Sequence, residues 1–239
     1  MLLLFPNSAS INRDDYLPAQ TPLISILSAI STPLPFIAAL LCLNLKNLSK
    51  DIKTLLGYLG IATLAELILA ILLFYGIHNN LVVHIYTPLE YIFVASLLMF
   101  WQQKAESAAL VRLSIPLYLL AYAVIKIFGW EDFSAHTVNY LTRPIALILL
   151  NGFALYTLLT LWQHTSQPLY RSGRFWVLAA FTIYYSASII VVAFMYISEN
   201  QALRYLLLLH SSANILHNLL LTTGIVCYRW FDAESVTPI

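Results

Sequence analysis

Apolar residues recur along the chain in blocks of about twenty, separated by short polar or proline-bearing stretches. A helix rising about 1.5 Å per residue needs roughly that many to cross a hydrocarbon layer ~30 Å thick. Read against the breakers, the blocks predict spans near 23–44, 55–77, 84–101, 113–129, 144–163, 175–197 and 205–228. Pro22 precedes the first, Pro116 falls in the first turn of the fourth and Pro144 opens the fifth, positions where a missing N–H costs little. Pro33 and Pro35 lie inside the first block, where a hinge can form. The expected fold is all-α, a polytopic membrane protein with a bundle of seven transmembrane helices over 23–228. An N-terminal extracytoplasmic or interfacial segment over 1–22 precedes it, and a short cytoplasmic tail over 229–239 follows.

Composition agrees with the pattern. Of the residues, 60% are hydrophobic and 10% charged, against about 25% charged in a soluble domain. A net charge of +1 leaves no electrostatic footprint for nucleic acid, so the lipid bilayer is the expected surrounding partner. The opening "LLLF" has no Lys or Arg ahead of it and is too short for the apolar core of a signal peptide, which predicts a retained segment.

Orientation follows from the basic residues in the short loops, which stay on the cytoplasmic side. Lys46, Lys50, Lys53, Lys104, Arg112, Arg171, Arg174 and Arg229 fall on one side. Arg13, Arg143 and Arg204 fall on the other, beside Asp14, Asp15, Glu131, Asp132 and Glu199, with Lys126 near that end. The N-terminus is expected outside and the C-terminus inside, in a bacterial cytoplasmic membrane. Cys42 and Cys227 then sit near the reducing side, and no structural disulfide is expected. No loop exceeds about fifteen residues and no Gly-rich phosphate loop occurs, which argues against a soluble catalytic or nucleotide-binding domain. No internal repeat of the kind that marks many transporters is evident.

Several polar residues interrupt the apolar blocks. In "HSSANILHN", at about 100° per residue, His210, Asn214 and His217 share an arc of roughly 60°, which Asn218 widens to about 100°. Such a stripe is expected to face the bundle interior, since amides and imidazoles in lipid would lack partners. In "HIYTPLEYIF", Pro88 cannot donate to the carbonyl of His84, so the backbone is loosened just outward of Glu90, with Tyr86 and Thr87 on the same face. Glu66, in "LAELILA", sits near a helix middle, where an ionised carboxylate costs roughly 2.5–3.5 kcal/mol. Asn151 lies about two turns from Arg143, the nearest evident cation for an outer carboxylate or an anionic ligand. Bland roles compete with functional ones. Asn151 and Asn218 suit interhelical hydrogen bonds worth about 1 kcal/mol, and Lys126 suits a snorkelling lysine. His78, His84 and His136 fall in or beside outer loops and are expected solvated, and the tyrosines, including Tyr184 and Tyr185, suit packing and interfacial belts. Taken together, Glu66, Glu90, Arg143, Asn151, His210, Asn214, His217 and Asn218 define the expected outward-facing pocket.

Three functional classes suit that pocket. The first is small-molecule binding or sensing, with the signal passed to a cytoplasmic or membrane partner. The second is a membrane-embedded metal hydrolase, with zinc on Glu90, His84, His210 or His217. Alkaline ceramidases and adiponectin receptors resemble the chain in architecture and place three histidines, an acid and a serine around zinc. Their last helix uses His-x-x-x-His, however, whereas His210 and His217 stand two turns and roughly 10 Å apart, too far for one ion with Zn–N bonds of about 2.0–2.1 Å. The third is a proton-coupled transporter with Glu66 as carrier. A weaker fourth is a haem or quinone redox protein with ligands such as His84 and His210.

The strings "IYTPLEY" and "ANILHN" resemble a group of uncharacterised small seven-helix integral membrane proteins of bacteria. That resemblance implies the architecture and the prominence of Glu90 and Asn214, and no activity.

Overall fold

The structure, a computed structural model, describes residues 21–43, 48–75, 77, 80–134, 139–165, 168–195 and 200–232. The expected segment up to residue 20, together with Lys46, His78, His136, Glu199 and the tail from residue 233, lies outside the described residues. The helices in order are α1 (Thr21–Ser31), α2 (Leu34–Cys42), α3 (Lys50–Phe74), α4 (Asn80–Trp101), α5 (Ala105–Ile127), α6 (Thr142–His164), α7 (Gly173–Met195) and α8 (Asn200–Cys227). A 3-10 turn at Leu169–Arg171 leads into α7 and a π turn at Tyr228–Asp232 follows α8. Among the described residues there is no strand.

Among the described residues, six stretches are long and apolar enough to cross a membrane: Leu23–Cys42, which joins α1 and α2, Lys50–Leu72, Asn80–Trp101, Ala105–Ile127, Thr142–His164 and Gly173–Phe194. The chain is an all-helical membrane protein. At 28 residues α8 has the length, but its histidines and asparagines make it less apolar than the other six.

Two spans depart from the expected bounds for physical reasons. The first span breaks at Thr32 and Pro33, because a proline supplies no N–H to continue the ladder; Ser31 Oγ and Thr32 Oγ1 donate to the carbonyl of Ser28 at 2.7 and 3.2 Å and close the end of α1. Helix α5 starts at Ala105, so Pro116 lies three turns inside it and not in its first turn. The segment "AESAALVR" is polar yet rich in strong helix formers, and the helix therefore outruns its apolar window. Helix α4 runs through Pro88 without a break. The carbonyl of His84, left without its helical donor, accepts the hydroxyl of Tyr122 at 2.8 Å.

Helix α8 packs against α7, α2 and α1, α7 against α6, and α4 against α3, α5 and α6. The core lies between α4 (Tyr91, Val94, Ala95, Leu98), α6 (Leu147, Leu150), α7 (Val177, Phe181, Tyr185) and α8 (Leu221, Ile225). Leu110, Leu113, Leu117 and Leu120 form an exposed stripe along α5, as a lipid-facing side demands. Helices α7 and α8 approach closely at a pair of glycines. A Cβ built on Gly173 would stand 2.7 Å from the carbonyl oxygen of Gly224, and one on Gly224 would stand 3.0 Å from that of Gly173. At the same end Asp51 accepts Trp101 Nε1 at 2.9 Å and pairs with Arg174 at 3.5 Å, tying α3, α4 and α7 together.

Candidate functional site

Helix α4 places Glu90 two residues beyond Pro88, and α6 begins with Thr142 and Arg143, so acid and base meet where the two helices pack. Glu90 Oε2 lies 3.5 Å from Arg143 Nη1, with side chains only 4% and 3% exposed. Tyr185 donates to Glu90 Oε1 at 3.5 Å, and Arg143 Nη1 donates to Thr87 Oγ1 at 3.3 Å. The two charges neutralise each other, which is how a buried pair offsets part of its desolvation.

One turn toward the start of α4, Tyr86 lines a hollow of about 40 Å³ shared with Glu66, Asn214, His217 and Asn218. Tyr58 of α3 and Tyr184 of α7 complete its polar wall, while Leu59, Ala62, Leu69 and Val83 form the apolar one. A buried water needs roughly 10–15 Å³ in the same measure, so the hollow admits on the order of three.

The polar stripe of α8 divides between two interfaces. Asn214 Nδ2 donates to Ser28 Oγ and Asn218 Nδ2 to Ser31 Oγ, both at 2.8 Å, which fastens α1 to α8. His217 turns the other way. Its Nδ1 stands 3.0 Å from the carbonyl of Ala180, which only accepts, so the proton is on Nδ1; Nε2 then carries a lone pair toward the Tyr58 hydroxyl at 3.5 Å. His210 does not line the hollow. It is half-buried against the Tyr184 ring at 5.8 Å, and its Nδ1 finds no hydrogen-bond partner among the described residues. Asn151 is also outside, donating to Ser186 Oγ at 3.1 Å between α6 and α7, an interhelical bond of the bland kind.

The residues expected to hold zinc do not fit one. Glu90 is engaged by Arg143, His217 donates from Nδ1 to Ala180, and His84 accepts from Lys126. Among the described residues no three His, Cys, Asp or Glu side chains converge as a metal site.

His84 and Lys126 depart most from expectation. His84 is fully buried, not solvated. Lys126 does not snorkel: its Nζ lies 2.7 Å from Glu131 Oε2, 2.8 Å from His84 Nδ1 and 3.3 Å from Asn139 Oδ1. Because the ammonium can only donate, His84 carries its proton on Nε2. The local fold explains the cluster. Gly129, at φ 68°, ends α5 with Trp130 N bonded to Ile125 O and Gly129 N to Lys126 O, the glycine-terminated helix end that turns the chain back. Glu131 is thereby brought under Lys126 and caps the next helix, accepting Leu141 N at 2.7 Å and Thr142 Oγ1 at 2.6 Å. Burial acts to raise the pKa of Glu131, but the bonds from Lys126, Thr142 and Leu141 outweigh it and hold the carboxyl below its ordinary range.

Tyr58 and Tyr184 are the lining residues that sequence patterning leaves among packing tyrosines; nothing in their spacing separates a ring that packs from one that faces a hollow. The chain matches no protein family, no characterised protein and no solved structure. Its class is that of an all-helical membrane protein with a small hollow among its helices.

Proposed function

We propose that this is a seven-span protein of a bacterial cytoplasmic membrane, N-terminus outside and C-terminus in the cytoplasm, whose hollow binds a small molecule. Occupancy is passed to a cytoplasmic or membrane partner. The observation that carries the reading is the convergence of Glu66 from α3 with Asn214, His217 and Asn218 from α8 on one hollow. Polar groups at that depth are costly in lipid and mark functional positions by default. On this reading α8 is the seventh span, and the chain is one of the small bacterial proteins that "IYTPLEY" and "ANILHN" resemble.

The charge distribution supports the orientation. Lys50, Lys53, Lys104, Arg112, Arg171, Arg174 and Arg229 are exposed toward one end, whereas Lys126 and Arg143 at the other end are buried in ion pairs. The exposed positive charge therefore belongs to the cytoplasmic side. Sensing is favoured over transport because the bundle below the hollow is packed with Leu55, Leu97, Leu98, Leu178 and Ile225, all nearly inaccessible. Sensing needs only that α8 run unbroken from the hollow to the inner end.

Native mass spectrometry of gently extracted protein tests the reading. A bound small molecule should accompany the wild type and be lost from Ala65→Phe, which fills the hollow. Wild type and variant both free of any bound molecule, with no thermal response to a metabolite panel, would overturn it.

A further inference from the structure

Resting on that binding reading, we infer that the hollow takes the neutral hydroxyl head of a single-chain membrane lipid, which enters sideways between α1 and α3. Two features carry this: what the α8 wall leaves unbonded, and where the hollow opens. Ser31 Oγ donates its proton to the Ser28 carbonyl at 2.7 Å, so toward Asn218 it can only accept, and the Asn218 group 2.8 Å away is Nδ2. Asn214 Nδ2 lies 2.8 Å from Ser28 Oγ and 3.5 Å from the Ser28 carbonyl, which also only accepts. Both amide oxygens are thereby turned away from α1.

Asn214 and Asn218 are only 6% and 3% exposed and both line the hollow. Their oxygens have no hydrogen bond to the described residues, yet neither oxygen is sealed in the packing, so the surface they keep opens on the hollow. His217 Nε2 adds a lone pair whose one hydrogen-bonding neighbour among the described residues, the Tyr58 hydroxyl, stands at a long 3.5 Å. Glu66, which has a partner of its own within the chain, leaves the choice to these three groups. All three are neutral acceptors, which call for a donor and for no charge. A hydroxyl supplies one. An ester, an ether or a carboxylate would set lone pairs against lone pairs, at the cost of an unmet buried polar group.

The opening decides where that hydroxyl comes from. Helix α1 packs on α8, and α3 packs on α4 and α2, whereas α1 and α3 share no packed face among the described residues. Thr32, at the break between α1 and α2, and Ala62 and Ala65 of α3 line the hollow and keep part of their surface accessible. On the same two helices Leu27, Ile30, Leu64 and Leu67 are exposed, so the mouth is bordered by side chains suited to hydrocarbon. At about 40 Å³ the hollow holds a CH2–OH group and not the chain attached to it, which must therefore lie outside, along the apolar groove between α1 and α3.

The test uses the full chain in nanodiscs of phosphatidylcholine, a lipid without hydroxyls. Dodecanol carrying a diazirine at mid-chain is photolysed there, and the adduct is counted by mass spectrometry and mapped by proteolysis. One saturable adduct on α1 or α3 is expected. At equal mole fraction in the bilayer, 1-dodecanol should displace it roughly tenfold or more better than dodecyl methyl ether, dodecylammonium or 1-butanol. Ala62→Phe, which fills the mouth, should abolish it, and Thr223→Val on the exposed face of α8 should leave it unchanged. If Ala62→Phe does not fold, Ala65→Phe carries the comparison. The ether or the amine displacing as well as the alcohol would overturn hydroxyl selection, and butanol doing so would overturn the membrane source in favour of a soluble alcohol. Labelling that does not saturate, or that spreads over all the helices, would overturn the whole assignment; a co-purified molecule in the native spectrum would then preserve the binding reading, and its absence would remove both.

Discussion

Tyr122 donates its hydroxyl to the backbone carbonyl of His84 at 2.8 Å, the acceptor that Pro88 leaves without a helical N–H. A side chain of α5 thus replaces a backbone bond of α4, and the proline is tolerated in a helix that remains continuous. Tyr122→Phe should cost about 1–2 kcal/mol, the penalty of an unsatisfied buried carbonyl. In a Pro88→Ala background, where the amide returns, the same change should cost at least ~0.5 kcal/mol less. Unfolding free energies of the four proteins in one detergent give the coupling; strict additivity would contradict the substitution of one bond for the other.

Lys126 and Glu131 should behave as one buried unit. Lys126→Met strands a carboxylate that is almost inaccessible to solvent, and breaking such a pair from one side costs roughly 3–5 kcal/mol. Combining it with Glu131→Gln should recover part of the loss. Denaturant titration of the single and double variants measures this, and a double variant as unstable as the sum of its parts would refute it.

The same carboxylate sets a pH dependence. Its folded pKa is depressed, so the unfolded chain binds more protons near the ordinary glutamate value of about 4.3. The stability it contributes is complete above that value and is lost as pH falls through the lower folded pKa. Melting temperatures recorded between neutral and acidic pH should fall less steeply for Glu131→Gln than for the wild type. Parallel slopes would show that the group does not contribute.

Gly173 and Gly224 leave no room for a methyl group. Gly224→Ala meets the backbone oxygen of Gly173 and the backbone nitrogen of Val177, which cannot rotate away as a side chain tip can, and should cost about 1–3 kcal/mol. Gly152, whose added Cβ meets nothing within 4 Å, is the contrast: alanine there should stabilise by about 0.5–1 kcal/mol through helix propensity. Thermal unfolding of the two variants should move in opposite directions.

Much of the helical order is legible in the apolar blocks, because lipid imposes one length and one polarity on whatever crosses it. What escapes is decided by partners far away in the chain. A lysine near a helix end reads as snorkelling until a glycine turn brings Glu131 beneath it, and Lys126 five residues before an acid is the only local hint. His84 reads as a loop-side histidine because an apolar window cannot register that α4 begins at Asn80. The stripe on α8 is visible as a period, but periodicity cannot say that Asn214 and Asn218 turn to α1 while His217 turns to α7. Glu66, on a helix that is otherwise apolar around it, stands out by cost alone; its neighbours across the hollow come from tertiary packing.

The bonds of Asn214 to Ser28 and of Asn218 to Ser31 join positions 186 and 187 residues apart in sequence. During synthesis α1 therefore makes this contact only after α8 has been made. Ser31 is equipped for the delay, since its hydroxyl is held by the carbonyl of Ser28 within its own helix.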